Sequence, residues 1–249
     1  MKLFAIVRLT LAELRHGKLL VLPLSVIVAM VLIAANIEDP ELYGTRLLEG
    51  MWAGLGVVGV LVAALTASGA VSSEIERGTM LLLAARPVSR LTILAGKAIG
   101  IAIYLLVCVV AWAATLALTI GTQIDAGAAT AFWGALLLIA PMLLAAMLAL
   151  SASTLLPSRG AIGSTLAIWL AVSVVAAIPL SAVRAENVAR VERAQEALGW
   201  VLPLERLADL RRGALGLDVR PEDLAALSVV GAWFAVACMI FRIRGSLAR

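Results

Sequence analysis

The sequence predicts an all-α, polytopic membrane protein, and three observations support this fold class. Of the 249 residues, 63% are hydrophobic, whereas a soluble domain is nearer half apolar. The mean hydropathy is +1.05. Only 14% of the residues are charged, and they cluster between long apolar runs. We therefore interpret residues 1–249 as a single transmembrane domain.

The chain begins with a basic stretch before its first apolar run. Residues 2–17 carry an apolar stripe, which is typical of a helix lying along the inner membrane interface. The stripe consists of Leu3, Val7, Leu11 and Leu14. The following apolar run resembles a signal peptide, but Ile33 does not suit a small-x-small cleavage site. We therefore interpret this run as an uncleaved first span.

Six apolar segments are each near the roughly 20 residues that a helix needs to cross a bilayer. They cover about residues 19–35, 50–71, 98–120, 131–156, 161–182 and 224–241. Small residues at four-residue spacing, such as Gly96 and Gly100, favour close helix contacts, either within the subunit or between two copies. Pro141 lacks a backbone donor and can kink the fourth segment.

The distribution of basic residues in the short loops predicts the orientation. Lys and Arg recur at the N-terminus, after the second segment, after the fourth segment and in the C-terminal tail. The opposite short loops contain mainly Asp and Glu. The positive-inside rule therefore places both termini in the cytosol, which agrees with an even number of spans.

Residues 183–223 form a longer, charged segment on the opposite side of the membrane. One helical face is apolar, and the other carries alternating acids and arginines. The apolar face consists of Val188, Val191, Ala194, Leu198 and Val201. This pattern predicts an outer amphipathic helix, with a shorter one at about residues 204–215. The segment is either a solvated cap or a docking surface for an external partner.

Several classes of function lack their sequence signatures. The chain has no phosphate-binding loop with a Gly-Lys-Ser/Thr end, no nucleophile elbow and no His-Glu-x-x-His motif. We therefore predict no catalytic residue, no metal site and no cofactor in this chain. Scattered basic residues without an aromatic platform argue against nucleic-acid binding. The predicted spans contain no Asp, Glu, Lys or Arg, which argues against an ion-coupled carrier.

The most informative segment is residues 72–97, the charged loop between the second and third spans on the predicted cytosolic face. Acidic and basic residues surround the apolar run 80–83. This composition is typical of a short helix that lies at the membrane surface and offers polar groups to a partner.

The motifs of this segment resemble the ABC-2-type permeases, the membrane subunits of ATP-binding-cassette transporters. The resemblance rests on Glu74-x-Glu76-x-Gly78-Thr79, Arg86-Pro87-Val88-Ser89-Arg90 and Ile93-Leu94-x-Gly96-Lys97-x-x-Gly100. It is closest to the branch that includes the nitrous-oxide-reductase maturation and gliding-motility permeases. The resemblance implies a bacterial cytoplasmic (inner) membrane and a coupling helix within residues 72–97 that contacts a separate ATPase. That ATPase would bind the ATP and Mg²⁺.

The resemblance also implies candidate ATPase-coupling residues. The charged side chains near residue 76 would offer charge-assisted contacts, and the glycine at 78 would permit a sharp turn. Pro87 would end the helix, and Arg90 and Lys97 would suit the headgroup boundary. The full set is Glu74, Glu76, Arg77, Gly78, Thr79, Arg86, Pro87, Arg90 and Lys97.

The function implied is that of the permease subunit of an exporter, which forms the translocation path as a homodimer or as a heterodimer with a similar permease. Some members of this family instead transmit mechanical work to an external partner, and residues 183–223 would then be its docking surface. Two alternatives stay open: a secondary transporter or channel without an ATPase, and a non-transporting membrane scaffold. No set of side chains in the spans selects a substrate.

Overall fold

The computed structural model describes residues 2–16, 20–36, 40–76, 90–124, 127–176, 185–202, 228–229 and 231–240. Helices account for almost all of these residues and no strand occurs among them, which confirms the all-α class. The principal helices are α1 (Lys2–His16), α2 (Val21–Ala35), α3 (Pro40–Glu76), α4 (Arg90–Thr119), α5 (Gly127–Leu136), α6 (Ile139–Ser153), α7 (Ser158–Ala176), α8 (Ala185–Val201) and α9 (Gly231–Ile240).

Four stretches of helix are long and apolar enough to cross a membrane. They are Arg46–Ala70, Leu91–Thr119, Gly127–Ser153 and Ser158–Val175. The helices α2 and α9 are also apolar but shorter. Together, the six helical stretches fall on the six apolar segments of the sequence, and the chain is a multi-pass membrane protein.

Two helices extend well beyond the spans that hydropathy predicts. The predicted limits are 50–71 and 98–120, whereas α3 covers Pro40–Glu76 and α4 covers Arg90–Thr119. The 37 residues of α3 make a helix about 55 Å long, compared with about 30 Å of hydrocarbon. Charged residues near the ends lower the hydropathy but still favour helix, since Glu, Lys and Arg have high helix propensity.

The helix α3 packs along α6 through small side chains. Gly59 faces Met142, whose Sδ would lie 2.8 Å from a Cβ built on the glycine. Gly56 faces Leu138 one turn earlier, so residue numbers rise together and the two helices are parallel. Further along the same contact, the alanines are fully buried: Ala63, Ala67, Ala145, Ala146 and Ala149. These small residues let the two backbones approach closely.

The predicted fourth span is two helices, because Pro141 interrupts its hydrogen bonding. Pro141 has no N–H to donate to the carbonyl of Leu137. That carbonyl instead accepts a hydrogen bond of 3.2 Å from the N–H of Ala140, one residue closer than in an α-helix. As a result α5 ends at Leu136 and α6 begins at Ile139.

Two of the six tryptophans are core residues of the bundle. Trp52 and Trp112 are 0% and 1% exposed, so neither is an interfacial anchor. The Nε1 of Trp112 donates a hydrogen bond of 3.1 Å to the carbonyl of Pro23, which joins α4 to α2. The Nε1 of Trp52 donates to the carbonyl of Ala131 at 3.4 Å, which joins α3 to α5. A buried indole N–H requires such a partner, and neighbouring backbone supplies it.

The contact between Gly134 and the indole ring of Trp52 leads to a first prediction. A Cβ added to Gly134 would lie 1.9 Å from the Cζ2 of this indole. We therefore expect Gly134→Ala to destabilise the folded chain by about 1–3 kcal/mol. The midpoint of thermal unfolding in detergent, followed by size-exclusion chromatography, measures this loss.

Gly54→Ala is the matched control, because no atom lies within 4 Å of a Cβ at Gly54. Both substitutions carry the same gain in helix propensity, so their difference isolates the steric clash. Equal midpoints for the two variants would contradict the packing described here.

Candidate functional site

The helices α3 and α4 bracket the charged segment that the sequence singles out. Residues 72–76 continue α3 without a break, and residues 90–97 form the first turns of α4. Residues 77–89, where a separate surface helix is predicted, lie outside the described residues. We call the end of the bundle where α3 ends and α4 begins the junction end.

The structure describes the nine predicted site residues to different extents. Glu74 and Glu76 belong to the last turns of α3, and Arg90 begins α4, but their side chains are outside the described part. Lys97 is described in full. The remaining five lie outside the described residues: Arg77, Gly78, Thr79, Arg86 and Pro87.

Lys97 differs from the expected headgroup anchor. Its side chain is only 3% exposed, in the third turn of α4. The ammonium Nζ donates a hydrogen bond to the backbone carbonyl of Ala70 in α3. Lysine is almost never this buried unless its charge has partners. Lys97 therefore faces the inside of the bundle and joins the two helices that bracket residues 77–89.

The helix α1 packs on the same part of α4. A Cβ at Gly96 would lie 2.7 Å from Cγ2 of Ile6, and one at Gly100 would lie 2.9 Å from Cβ of Thr10. The pair of glycines predicted to promote close contact therefore seats α1 within the subunit. Numbers rise together in the two helices, so α1 runs parallel to α4.

The opposite side of α1 is exposed and mostly apolar. Phe4 is 73% exposed and Leu9 is 51% exposed, and with Arg8 they line a shallow groove. Of the predicted apolar stripe, Val7 and Leu14 are buried, whereas Leu3 is 40% exposed.

Buried polar side chains concentrate at the junction end. Among the described residues they are Thr10, Thr66, Ser68, Lys97, Ser151, Ser153, Thr154 and Thr165. The packing registers place them together, since Thr10 lies against Gly100 and α6 runs parallel to α3. The last residues of α6 include Ser151 and Ser153, and Thr154 follows directly. Among the described residues, the buried side chains towards the other end of the bundle are aliphatic or aromatic, such as Trp52, Trp112 and Ile120.

The hydroxyl groups of these buried side chains donate hydrogen bonds to carbonyl groups of their own helices. Thr66 Oγ1 donates to the carbonyl of Val62 at 2.9 Å, and Ser153 Oγ donates to that of Leu150 at 2.8 Å. Thr165 Oγ1 does the same with Ala161 at 2.8 Å. Such local bonds satisfy the hydroxyl groups without a bond to a second helix. These hydroxyl groups are therefore buried without losing their hydrogen bonds. Among the described residues, Lys97 is the charged member of this buried polar set.

The helix α8 lies at the end of α7 far from the junction end. Gln195 Nε2 donates a hydrogen bond of 3.0 Å to the carbonyl of Val175. Just after α8, Leu202 is 1% exposed and packs in a cluster that includes Leu144 and Val172. The charged side chains of α8 face outwards: Arg190, Glu192, Arg193 and Glu196. The shorter helix predicted at 204–215 lies outside the described residues.

No metal site is formed by the part of the chain that the structure describes, since it contains no group of three or more His, Cys, Asp or Glu side chains.

Sequence reasoning did not predict the burial of Lys97, because hydropathy placed the start of the third span one residue after it. One signal was available. In the sequence, Lys97 lies between Gly96 and Gly100. Two glycines four residues apart indicate a helix face that packs closely on another helix. A lysine beside such a face is close to the packed interior.

We expect the burial of Lys97 to protect its amine from acylation. Treating the folded chain in detergent with a small N-hydroxysuccinimide ester should modify Lys97 at least tenfold more slowly than in the chain denatured with dodecyl sulfate. Mass spectrometry of the peptide containing Lys97 measures both rates. Equal rates would mean that this side chain is open to solvent.

A comparison with known protein families identifies the class of membrane protein. No curated protein sequence matches the chain. Residues 14–240, which include nearly all of the described helices, match the family described as ABC-2 family transporter protein. The chain is therefore a member of the ABC-2 transporter family.

Proposed function

We propose that this chain is the permease subunit of an ABC-2-type exporter. Two copies, or one copy and a similar permease, form the translocation path. A separate ATPase subunit binds ATP and Mg²⁺ and docks on residues 72–97. The chain forms the translocation path and moves to open or close it, whereas the ATPase subunit hydrolyses the ATP. The permeases for nitrous-oxide-reductase maturation and gliding motility are the branch that we propose for it.

The observation that carries this proposal is the arrangement of α3 and α4 at the junction end. The residues bonded to each other, Ala70 and Lys97, lie near the end of one helix and the start of the other. Residues 77–89, which connect the two helices, therefore begin and end at helices of the transmembrane bundle. Force on that segment would pass directly into two spans, which is what coupling to an ATPase requires.

The transmembrane domain in this proposal is a single unit with six spans. The two shorter apolar helices, α2 and α9, supply the first and the last span. Trp112 supports this role for α2, because its hydrogen bond to Pro23 holds α2 against the long helix α4. The helix α1 differs from the expected interfacial helix, because it runs parallel to the start of α4, and its exposed Phe4 and Leu9 would face lipid.

The orientation follows from the charges. Basic residues predominate at the N-terminus, between α3 and α4 and in the C-terminal tail. The positive-inside rule then places the junction end and both termini in the cytosol of the cytoplasmic membrane of a bacterium. The charged face of α8 would lie outside, where it could dock an external partner.

Two cysteine variants test this orientation and the even number of spans. In a parent chain with Cys108→Ala and Cys238→Ala, we expect Glu192→Cys to react with a membrane-impermeant maleimide in intact cells. We expect Ser246→Cys to react only after permeabilisation, because the C-terminal tail is cytosolic in this topology. Labelling of both positions from the same side would contradict six spans.

Co-purification tests the function itself. The tagged chain is isolated from its native membrane in detergent, and mass spectrometry identifies the proteins that accompany it. We expect an ATPase with a phosphate-binding loop. We also expect Glu74→Ala combined with Arg77→Ala to reduce its recovery at least fivefold, because charge-assisted contacts would be lost. Membrane insertion should be unchanged.

The matched control is Arg190→Ala combined with Glu192→Ala. It removes one base and one acid from the exposed face of α8 and should leave the recovery of the ATPase unchanged. A chain recovered without any nucleotide-binding partner would favour a secondary transporter, a channel or a scaffold. An equal loss in both double variants would show that residues 72–97 have no special role.

A further inference from the structure

We propose that Lys97 is a positioning residue that fastens α4 to α3 at the base of residues 77–89, so that both sides of this segment move as one body. The effect of Lys97 on coupling to an ATPase rests on the proposed function, whereas the contact of Lys97 with α3 does not depend on it. It also assigns Lys97 a different role from that implied by the family resemblance. Lys97 holds the permease together internally, and the ATPase contacts belong to other residues.

The burial of Lys97 is the first step in the argument. A charged side chain that is 3% exposed in an apolar bundle has lost its hydration, which is costly. Methionine at the same position would fill a similar space without that cost. A lysine with a partner on another helix gives this position an interaction that an apolar side chain cannot provide.

The second step is the way α3 and α4 are packed. The helix α3 packs mainly on α6 and α7, whereas α4 packs mainly on α1 and α5. The two helices therefore belong to different sides of the bundle and touch each other only over a short stretch. The bond from Lys97 to the carbonyl of Ala70 lies in that stretch. A hydrogen bond from a charged donor is about twice as strong as a neutral one.

The third step is the position of this bond along each helix. From Ala70 to the end of α3 at Glu76 is about 9 Å, and from the start of α4 at Arg90 to Lys97 is about 10 Å. The two arms that lead to residues 77–89 are therefore nearly equal in length. A bond between the two helices close to residues 77–89 opposes separation of the end of α3 from the start of α4. A displacement of either helix end is then transmitted to the other.

The glycines on either side of Lys97 support the same role. Gly96 seats Ile6 and Gly100 seats Thr10, so α1 holds the same turns of α4 in place. Lys97 projects from a part of α4 that cannot easily rotate. Its ammonium group is therefore kept at the height of Ala70.

The decisive experiment measures the distance between the two arms. Spin labels are placed at Glu74→Cys and Leu91→Cys in the parent chain with Cys108→Ala and Cys238→Ala, reconstituted in lipid nanodiscs. Pulsed electron paramagnetic resonance gives the distribution of distances. We expect Lys97→Met to widen the distribution at least twofold, whereas Lys97→Arg retains a cationic donor and leaves it narrow.

Trp112→Phe is the matched control. It removes another buried hydrogen bond from a side chain to a carbonyl, but one that joins α4 to α2. We expect it to leave the distribution unchanged. An unchanged width in Lys97→Met, or an equal widening in Trp112→Phe, would overturn the proposal. If Lys97→Met does not insert, Lys97→Leu, which also lacks a hydrogen-bond donor, is measured in the same way, and an unchanged width would overturn the proposal.

A second measurement tests the consequence for coupling. In the complex with the co-purified ATPase, Lys97→Met should leave the ATPase bound. It should also reduce at least fivefold the change in hydrolysis rate that the permease causes, relative to the free ATPase. Loss of binding would instead assign Lys97 to the docking surface and overturn the positioning role. If no ATPase co-purifies, the proposed function fails, and the label distances still decide whether Lys97 fastens the two helices.

Discussion

The close packing of α3 against α6 is the contact on which the rest of the structure depends. In a bilayer, apolar helices gain little by leaving lipid, so close van der Waals contact has to hold them together. The glycine and alanine positions along this contact bring the backbones near enough for that. Because α3 is fixed in this way, Trp52 can reach the α5 backbone and Ala70 is held where Lys97 meets it. The second side of the bundle, formed by α1, α2 and α4, is organised around the same fixed helix.

The bundle is chemically uneven from one end to the other. The buried hydroxyl groups and the buried ammonium group of the described residues occur at the junction end. Each polar group near the bilayer centre would be costly, whereas near the boundary the cost is smaller. The family resemblance, the positive-inside rule and the buried lysine therefore all direct attention to the same end. We propose that this end receives work from an ATPase and that the apolar remainder carries the motion.

Sequence alone predicted the fold class and the approximate positions of the apolar helices, because hydropathy is a strong signal in a chain with so few charges. It did not predict where α3 begins and ends or where α4 begins, since residues of high helix propensity continue beyond the point where hydropathy falls. It also did not predict that Trp52 and Trp112 are buried, because a tryptophan packed against a neighbouring carbonyl has no local signature. For the candidate site, the sequence marked the segment correctly as lying between two spans. It did not predict the burial of Lys97, which depends on the packing of a helix distant in the chain.

The proline break beside α3 has a mechanical consequence. One unbroken helix of about 55 Å lies alongside a pair of helices jointed near Leu137 and Leu138. If a load reached these helices, α3 would tilt as a rod, whereas α5 and α6 would bend at the joint between them. A tilt of α3 by roughly 10° about one end would move the other end by about 10 Å. The joint could absorb that sweep locally, so α5 could keep its contact with Trp52 while α6 follows the rod.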